Sequence, residues 1–176
     1  MSLEIIIGCM FSGKSTELIR RLKRFRAINT EILVINSSKD IRSTQKVLQT
    51  HDKVTFDCVK TNNLLEVFCT EDFEKSKIIG IDEAQFFTHL KDFVQGALQR
   101  NKHIIVAGLD GDYKQERFGE ITDLLPLADN ITKLKALCME CNDGTLAPFT
   151  KRIVNCDNQE LIGAKESYKA VCRKHI

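Results

Sequence analysis

Residues 8–16 read Gly-Cys-Met-Phe-Ser-Gly-Lys-Ser-Thr and fit G-x-x-x-x-G-K-[ST], the pattern of a phosphate-binding loop. No other run restricts the fold as strongly. Such a loop works only between a strand and a helix, because successive backbone N–H groups must curl round a phosphate at a helix N-terminus. The flanks agree: Leu3 to Ile7 is a β-rich apolar run, and helix formers begin at Thr16. Gly8 and Gly13 permit the unusual backbone angles the loop needs. Lys14 is placed to reach the β- and γ-phosphates, and the Ser15 hydroxyl to sit on Mg²⁺. The nucleotide-binding expectation covers Gly8, Cys9, Met10, Phe11, Ser12, Gly13, Lys14, Ser15 and Thr16.

At 176 residues the chain holds one ordinary domain, with room for a small appendage. Lys and Arg number 26 against 24 Asp and Glu, a formal charge of +2, which is too balanced for a dedicated nucleic-acid binder. No leader sequence opens the chain, and the longest apolar runs, such as Ile104 to Ala107, are strand-sized, so a cytoplasmic protein without a membrane partner is expected. Seven cysteines in such a chain argue against a disulfide framework, because the number is odd.

Along the chain, Leu18, Leu22 and Phe25 recur at i, i+4 and i+7 and predict a helix over residues 15–28, with Arg20, Arg21, Lys23, Arg24 and Arg26 on a solvated face. Residues 31–36 form a second apolar strand. Residues 37–53 are polar and aperiodic, which predicts a mobile loop. A short strand is expected over 54–59, a helix over 62–73, a core strand over 77–82, a helix over 86–99, a strand over 103–108, a polar loop over 110–120, and a last strand over 131–137. Strands alternating with helices at this spacing imply a parallel sheet covered on both faces. After Leu137 the chain turns to cysteine, glycine and short β-like pieces. The expected division is a phosphate-loop α/β core over 1–137 and a metal-binding subdomain over 138–176.

Asp82 and Glu83 end the hydrophobic run Ile78-Ile79-Gly80-Ile81. Ligands of open α/β sheets bind at that strand end. Asp82 suits a Mg²⁺-holding acid, and Glu83 is free for proton or water chemistry. If Glu83 orients water the protein is a hydrolase; if it takes a proton from an alcohol it is a kinase. The string Asp-Glu-Ala-Gln invites comparison with helicases, but those need two such cores and this chain has room for one.

Cys138-x-x-Cys141 and Cys172-x-x-His175 are two close pairs of soft ligands far apart in sequence, which suits one tetrahedral structural Zn²⁺. A redox C-x-x-C would explain neither Cys172 nor His175. The metal would tie residues 142–171 at both ends, and a tied loop facing a nucleotide core can wrap a small second substrate with backbone amides. A plain zinc ribbon fits the spacing equally well.

Together, residues 8–21, Ile79-Gly-Ile-Asp-Glu-Ala-Gln-Phe-Phe87, Leu109-Asp-Gly111, Leu137-Cys-Met-Glu-Cys141, Thr150-Lys-Arg152 and Val171-Cys-Arg173 resemble the thymidine kinases of the cytosolic type, which also occur in poxviruses. The resemblance covers nearly the whole chain. It implies a RecA-like phosphate-loop α/β fold and transfer of the ATP γ-phosphate to the 5′-hydroxyl of thymidine. It makes Glu83 the base. Asp40 and Arg42 match a D-x-R element near the phosphates, and Asp82 and Gln85 match the nucleotide and Mg²⁺ side. Met10, Phe86, Leu109, Tyr113 and Phe118 match positions surrounding thymidine. Thr150, Gln159, Glu160, Leu161, Ile162, Gly163 and Tyr168 match the lasso that grips the base, and Cys138, Cys141, Cys172 and His175 match the zinc ligands. Members are usually homotetramers and are inhibited by thymidine triphosphate.

This chain departs from the family pattern at several positions. Cys9 replaces a proline, Ala84 a glycine, Ala164 the second glycine of the lasso pair, and His175 the usual last cysteine; Tyr113 stands where phenylalanine is common. A competing class is a nucleotide-binding module whose zinc ribbon docks nucleic acid, with steep salt dependence as its signature.

Overall fold

The computed structural model describes residues 1–40, 47–49, 55–163 and 166–176. In chain order its strands are β1 (Ser2–Gly8), β2 (Ile32–Ser37), β3 (Val47–Gln49), β4 (Thr55–Asp57), β5 (Val59–Thr61), β6 (Ile78–Asp82), β7 (His103–Gly108), β8 (Asn130–Leu134), β9 (Ala136–Leu137), β10 (Leu146–Ala147), β11 (Phe149–Arg152) and β12 (Tyr168–Val171). The α-helices are α1 (Lys14–Arg26), α2 (Leu64–Val67), α3 (Glu71–Lys75) and α4 (Leu90–Gln99). Six strands make one sheet in the order β5-β2-β6-β7-β1-β8, parallel at every junction. This is the phosphate-loop α/β architecture expected, with β7 lying between the strand that feeds the phosphate loop and the strand that ends in Asp82.

The pleat sorts the apolar runs between two cores. Leu3, Ile5 and Ile7 face α4 with Ile79, Ile81, Phe87 and Phe93, while Ile6 faces the other way, against Leu18, Ile19 and Leu22 of α1. Both faces are covered, so the central strands read as continuous apolar runs.

Several elements differ from the sequence expectation, each for a local reason. The helix foreseen over 62–73 is two short ones, because Thr70 caps a new start by accepting from Phe73 N. The helix foreseen from Phe86 starts at Leu90, preceded by a 3₁₀ turn over Ala84–Phe86. The strand over 54–59 is β4 and β5 separated by Cys58, and β3 lies inside the segment read as loop and pairs with β4. The last strand divides into β8 and β9. Arg21 is not on a solvated face: it reaches Glu17, Glu4 and Thr132, joining α1 to β1 and β8.

After β8 the chain builds two antiparallel hairpins, β9–β10 and β11–β12, joined where Met139 N donates to Ala170 O. Their small core gathers Ala136, Cys138, Ala147, Ala170, Val171 and Cys172, and it includes Cys9 of the phosphate loop. The two parts of the chain therefore share packing at the site itself.

Candidate active site

The phosphate loop follows directly from β1. Gly13 adopts φ 85°, the left-handed turn from which α1 starts, and Glu17 N donates to its carbonyl to open the helix. Lys14 is buried, and its Nζ donates to Cys9 O at 2.7 Å. Burial lowers its pKa, and the Glu83 carboxylate leads the groups that oppose the shift. A poorly hydrated cation at a helix N-terminus is prepared for an anionic phosphate. Ser15 Oγ donates to Asp82 Oδ2 at 2.6 Å, so the hydroxyl at the start of α1 meets the acid at the end of β6, although β7 separates β6 from the strand that leads into α1. Ser12 Oγ donates to Cys9 O, and the Cys9 side chain is buried and donates to Ala147 O at 3.1 Å.

Glu83 follows β6 with φ 51°, a left-handed residue that turns the chain off the strand and offers the carboxyl to the cavity. Gln85 Nε2 donates to Glu83 Oε2 at 2.6 Å, while Gln85 Oε1 accepts from Leu109 N at 3.0 Å. One amide thus fixes the acid and the loop after β7. Asp40 is buried and accepts from Asn36 Nδ2 at 2.8 Å, and Lys60 Nζ donates to its carbonyl at 2.9 Å. Arg42 and Ala164 lie outside the described residues.

A cavity of about 200 Å³ runs from Gly13, Lys14, Ser15 and Thr16 past Glu83 and Asp40 to an apolar slot. Phe86 and Phe118 meet edge to face at 5.6 Å in that slot, beside Met10 and Leu109. The segment after β11 lies across it with Leu161, Ile162 and Gly163 lining it, along with Tyr113, Thr150, Gln159 and Tyr168. Glu160 does not line it; it pairs with Lys39 at 2.8 Å. Thr150 Oγ1 accepts from Met10 N at 2.9 Å, which ties the phosphate loop to β11.

Sequence reasoning missed the residue that shapes the lasso. Arg152 gives Nη1 to Cys156 O and Asn158 O, and Nη2 to Gln159 O and the Tyr168 hydroxyl, which in turn donates to Leu161 O at 2.8 Å. Its guanidinium stacks on Tyr113 at 3.8 Å. The only sequence signal was its place in Thr150-Lys-Arg152. Lys39, Asp112 and Asn36 were also missed, since nothing in their spacing marks them.

Cys138, Cys141, Cys172 and His175 come together as the sequence required, with donor atoms all within 4.8 Å. Cys141 and Cys172 sulfurs are 3.7 Å apart, and His175 Nδ1 lies 3.6, 3.4 and 3.5 Å from Cys138, Cys141 and Cys172. A tetrahedron with zinc–sulfur bonds of about 2.3 Å has S···S edges of about 3.8 Å, so these four donors can hold zinc. Burial alone would raise the Cys138 thiol, but the Cys172 N–H, 3.3 Å away, and the Cys141 amide bring it down to about 5. Burial and the shared hydrogen bonds with Cys138 and Cys172 push Cys141 up to about 11. A cation among them is what lets both become thiolates.

The comparisons with known proteins agree with this geometry. A family model described as Thymidine kinase matches residues 1–176. The chain is 44% identical to Thymidine kinase a of Arabidopsis thaliana, over 99% of this chain and 74% of that protein. It is 43% identical to a thymidine kinase of Myxoma virus (strain Uriarra), over 98% and 94%. It is 40% identical to the cytosolic thymidine kinase of Bos taurus, over 97% and 70%. Matched from end to end, with its phosphate loop, strand-end acids and tied C-terminal segment around one cavity, the chain belongs to the thymidine kinase family.

Proposed function

We propose that this chain transfers the γ-phosphate of ATP to the 5′-hydroxyl of thymidine, giving thymidine 5′-monophosphate. The observation that carries the reading is the single continuous cavity: phosphate loop at one end, apolar slot under the lasso at the other, and Glu83 between them. Lys14 and the backbone amides of residues 8–16 bind the phosphates, with Asp40 and Arg42 assisting. Ser15 and Asp82 hold Mg²⁺, which neutralises charge on the phosphates when bound. Glu83, oriented by Gln85, takes the hydroxyl proton as the nucleophile attacks. Such a transfer relies mostly on positioning and charge, so an ordinary carboxylate suffices as base. Phe86, Phe118, Leu109 and Met10 hold the base, and main-chain groups of residues 159–163 read its edge. Cys138, Cys141, Cys172 and His175 would hold Zn²⁺, which would tie both ends of the lasso and make residues 138–176 a subdomain that closes over the nucleoside.

The family resemblance supports a homotetramer inhibited by thymidine triphosphate, and the bovine relative's printed name supports a cytoplasmic location, the host cytoplasm if the source is viral. No described helix is long and apolar enough to cross a membrane. The nucleic-acid-docking alternative gains nothing from the site, where Arg152 is engaged with carbonyls of its own chain.

Phosphate transfer from γ-labelled ATP with Mg²⁺ to thymidine, deoxycytidine, deoxyadenosine and deoxyguanosine tests the reading. Label on thymidine alone is expected. No transfer to any nucleoside by a chain that still binds ATP would overturn it.

A further inference from the structure

The lasso is shaped from within by Arg152, and among the described residues three further contacts fasten it to the rest of the molecule. Tyr113 Oη donates to Asp157 O at 3.2 Å, Lys39 pairs with Glu160, and Gln159 Nε2 donates to Asp112 Oδ2 at 2.7 Å and to Arg117 O at 2.9 Å. These are not equal. The Lys39–Glu160 pair is more than a third exposed on both sides, and such pairs contribute little. The Tyr113 bond joins neutral groups at the surface. Asp112 is a carboxylate at 6% exposure, and a hydrogen bond to a buried charge is the strongest of the three kinds.

Asp112 is also a rigid anchor. Its Oδ1 accepts from Lys114 N at 2.8 Å and Glu116 N at 2.9 Å, and its own N–H donates to Glu116 O. That turn carries Tyr113 and precedes Phe118, both of which line the cavity. The Oδ2 atom faces the lasso, where Gln159 meets it.

We propose that the Gln159–Asp112 contact is the latch that holds the lasso over the nucleoside, which makes Gln159 a positioning residue for the nucleoside step. The inference rests on the thymidine kinase reading of the cavity. By tying residue 159 to the loop after β7, the latch sets where the carbonyls and amides of residues 159–163 stand relative to Phe86 and Phe118. Preordering that segment lowers what nucleoside binding must spend on fixing it. Releasing it should therefore weaken the nucleoside and leave ATP, at the far end of the cavity, untouched.

The test is a donor–acceptor swap. Gln159→Glu sets two carboxylates face to face. Asp112→Asn keeps its oxygen on the Lys114 and Glu116 amides and turns its NH₂ on the Gln159 NH₂, so the two can bond only if Gln159 flips and gives up the Arg117 carbonyl. The double variant pairs an amide with a carboxylate again. Each single variant is expected to raise thymidine KM about tenfold, the effect of losing one hydrogen bond to a charged group, with ATP KM unchanged. The double variant should lie closer to wild type than either single one, short of full recovery because the Arg117 carbonyl loses its donor. Hydrogen exchange of residues 155–163 in the free protein, read on Gln159→Leu, should quicken while exchange in β1 and β7 stays unchanged. Wild-type KM and exchange in these variants would overturn the latch. So would a double variant no better than the worse single one, which would put Gln159 on the substrate itself. Exchange needs no substrate, so a wild-type chain that phosphorylates no nucleoside would sink the activity reading while exchange alone decided the latch.

Discussion

In the proposed reaction Glu83 takes the hydroxyl proton; the residue pattern alone left it between a water-orienting and a proton-accepting role, and the family resemblance makes it the base. Its neighbours give it a fixed position: Gln85 holds one oxygen, and the left-handed backbone offers the carboxyl to the cavity that Lys14 and Ser15 also line. Glu83→Gln keeps the shape and removes the proposed base, so kcat should fall by about 10²–10⁴-fold while ATP affinity stays near wild type. Steady-state rates beside an ATP titration check this, and normal turnover would remove Glu83 as base. Lys102 is the opposite case, invisible in sequence and decisive in structure. Its Nζ donates to Phe73 O, Glu74 O and Ser76 O, closing the C-terminal end of α3 with a buried charge.

At the scale of elements, periodicity was enough wherever packing is simple. β1, β2, β6 and β7 are apolar runs buried on both faces, and α1 carries its stripe of Leu18 and Leu22. It was insufficient where one side chain overrides the pattern, as Thr70 does by restarting a helix at α3. The loop after β7 also has a constraint no pattern shows. Gly119 has φ 65°, and a Cβ there would lie 2.3 Å from Gln85 O. Gly119→Ala must push Gln85, and with it Glu83 and Leu109, so kcat/KM for thymidine should fall tenfold or more for a shift of about 1 Å. A variant with wild-type kcat/KM would show that the loop absorbs the methyl without moving Gln85. The joint between α1 and the sheet responds to acid. Hydrogen bonds from Arg20, then Arg21, hold the Glu17 carboxyl down at about 2, below its ordinary 4.5. A depressed carboxyl stabilises the fold above the unfolded value and loses that contribution as pH falls through the folded one. Stability should therefore drop between about pH 4.5 and 2, and Glu17→Gln should flatten that limb in urea unfolding measured across pH. An unchanged limb would show that other carboxylates dominate it.

For the whole molecule, the C-terminal hairpins have too small a core to stand alone, and their core takes in Cys9 from the phosphate loop. Metal analysis should give one zinc per chain. Chelation should lower the melting temperature and abolish thymidine phosphorylation, and the links Cys9–Ala147 and Met10–Thr150 should make ATP binding weaken with it. Chelation that leaves melting unchanged would show that the hairpins hold without metal. By itself the sequence determined the phosphate-loop pattern, the strand-end acids, the parallel sheet and the two pairs of candidate metal donors, because each follows from residue types at short local spacings or from the alternation of strand and helix patterns. Only the tertiary structure decided that Arg152 shapes the lasso, that Gln159 meets Asp112 and that Lys39 meets Glu160. Those contacts join residues far apart in the chain, and no local periodicity records a distance that folding alone creates.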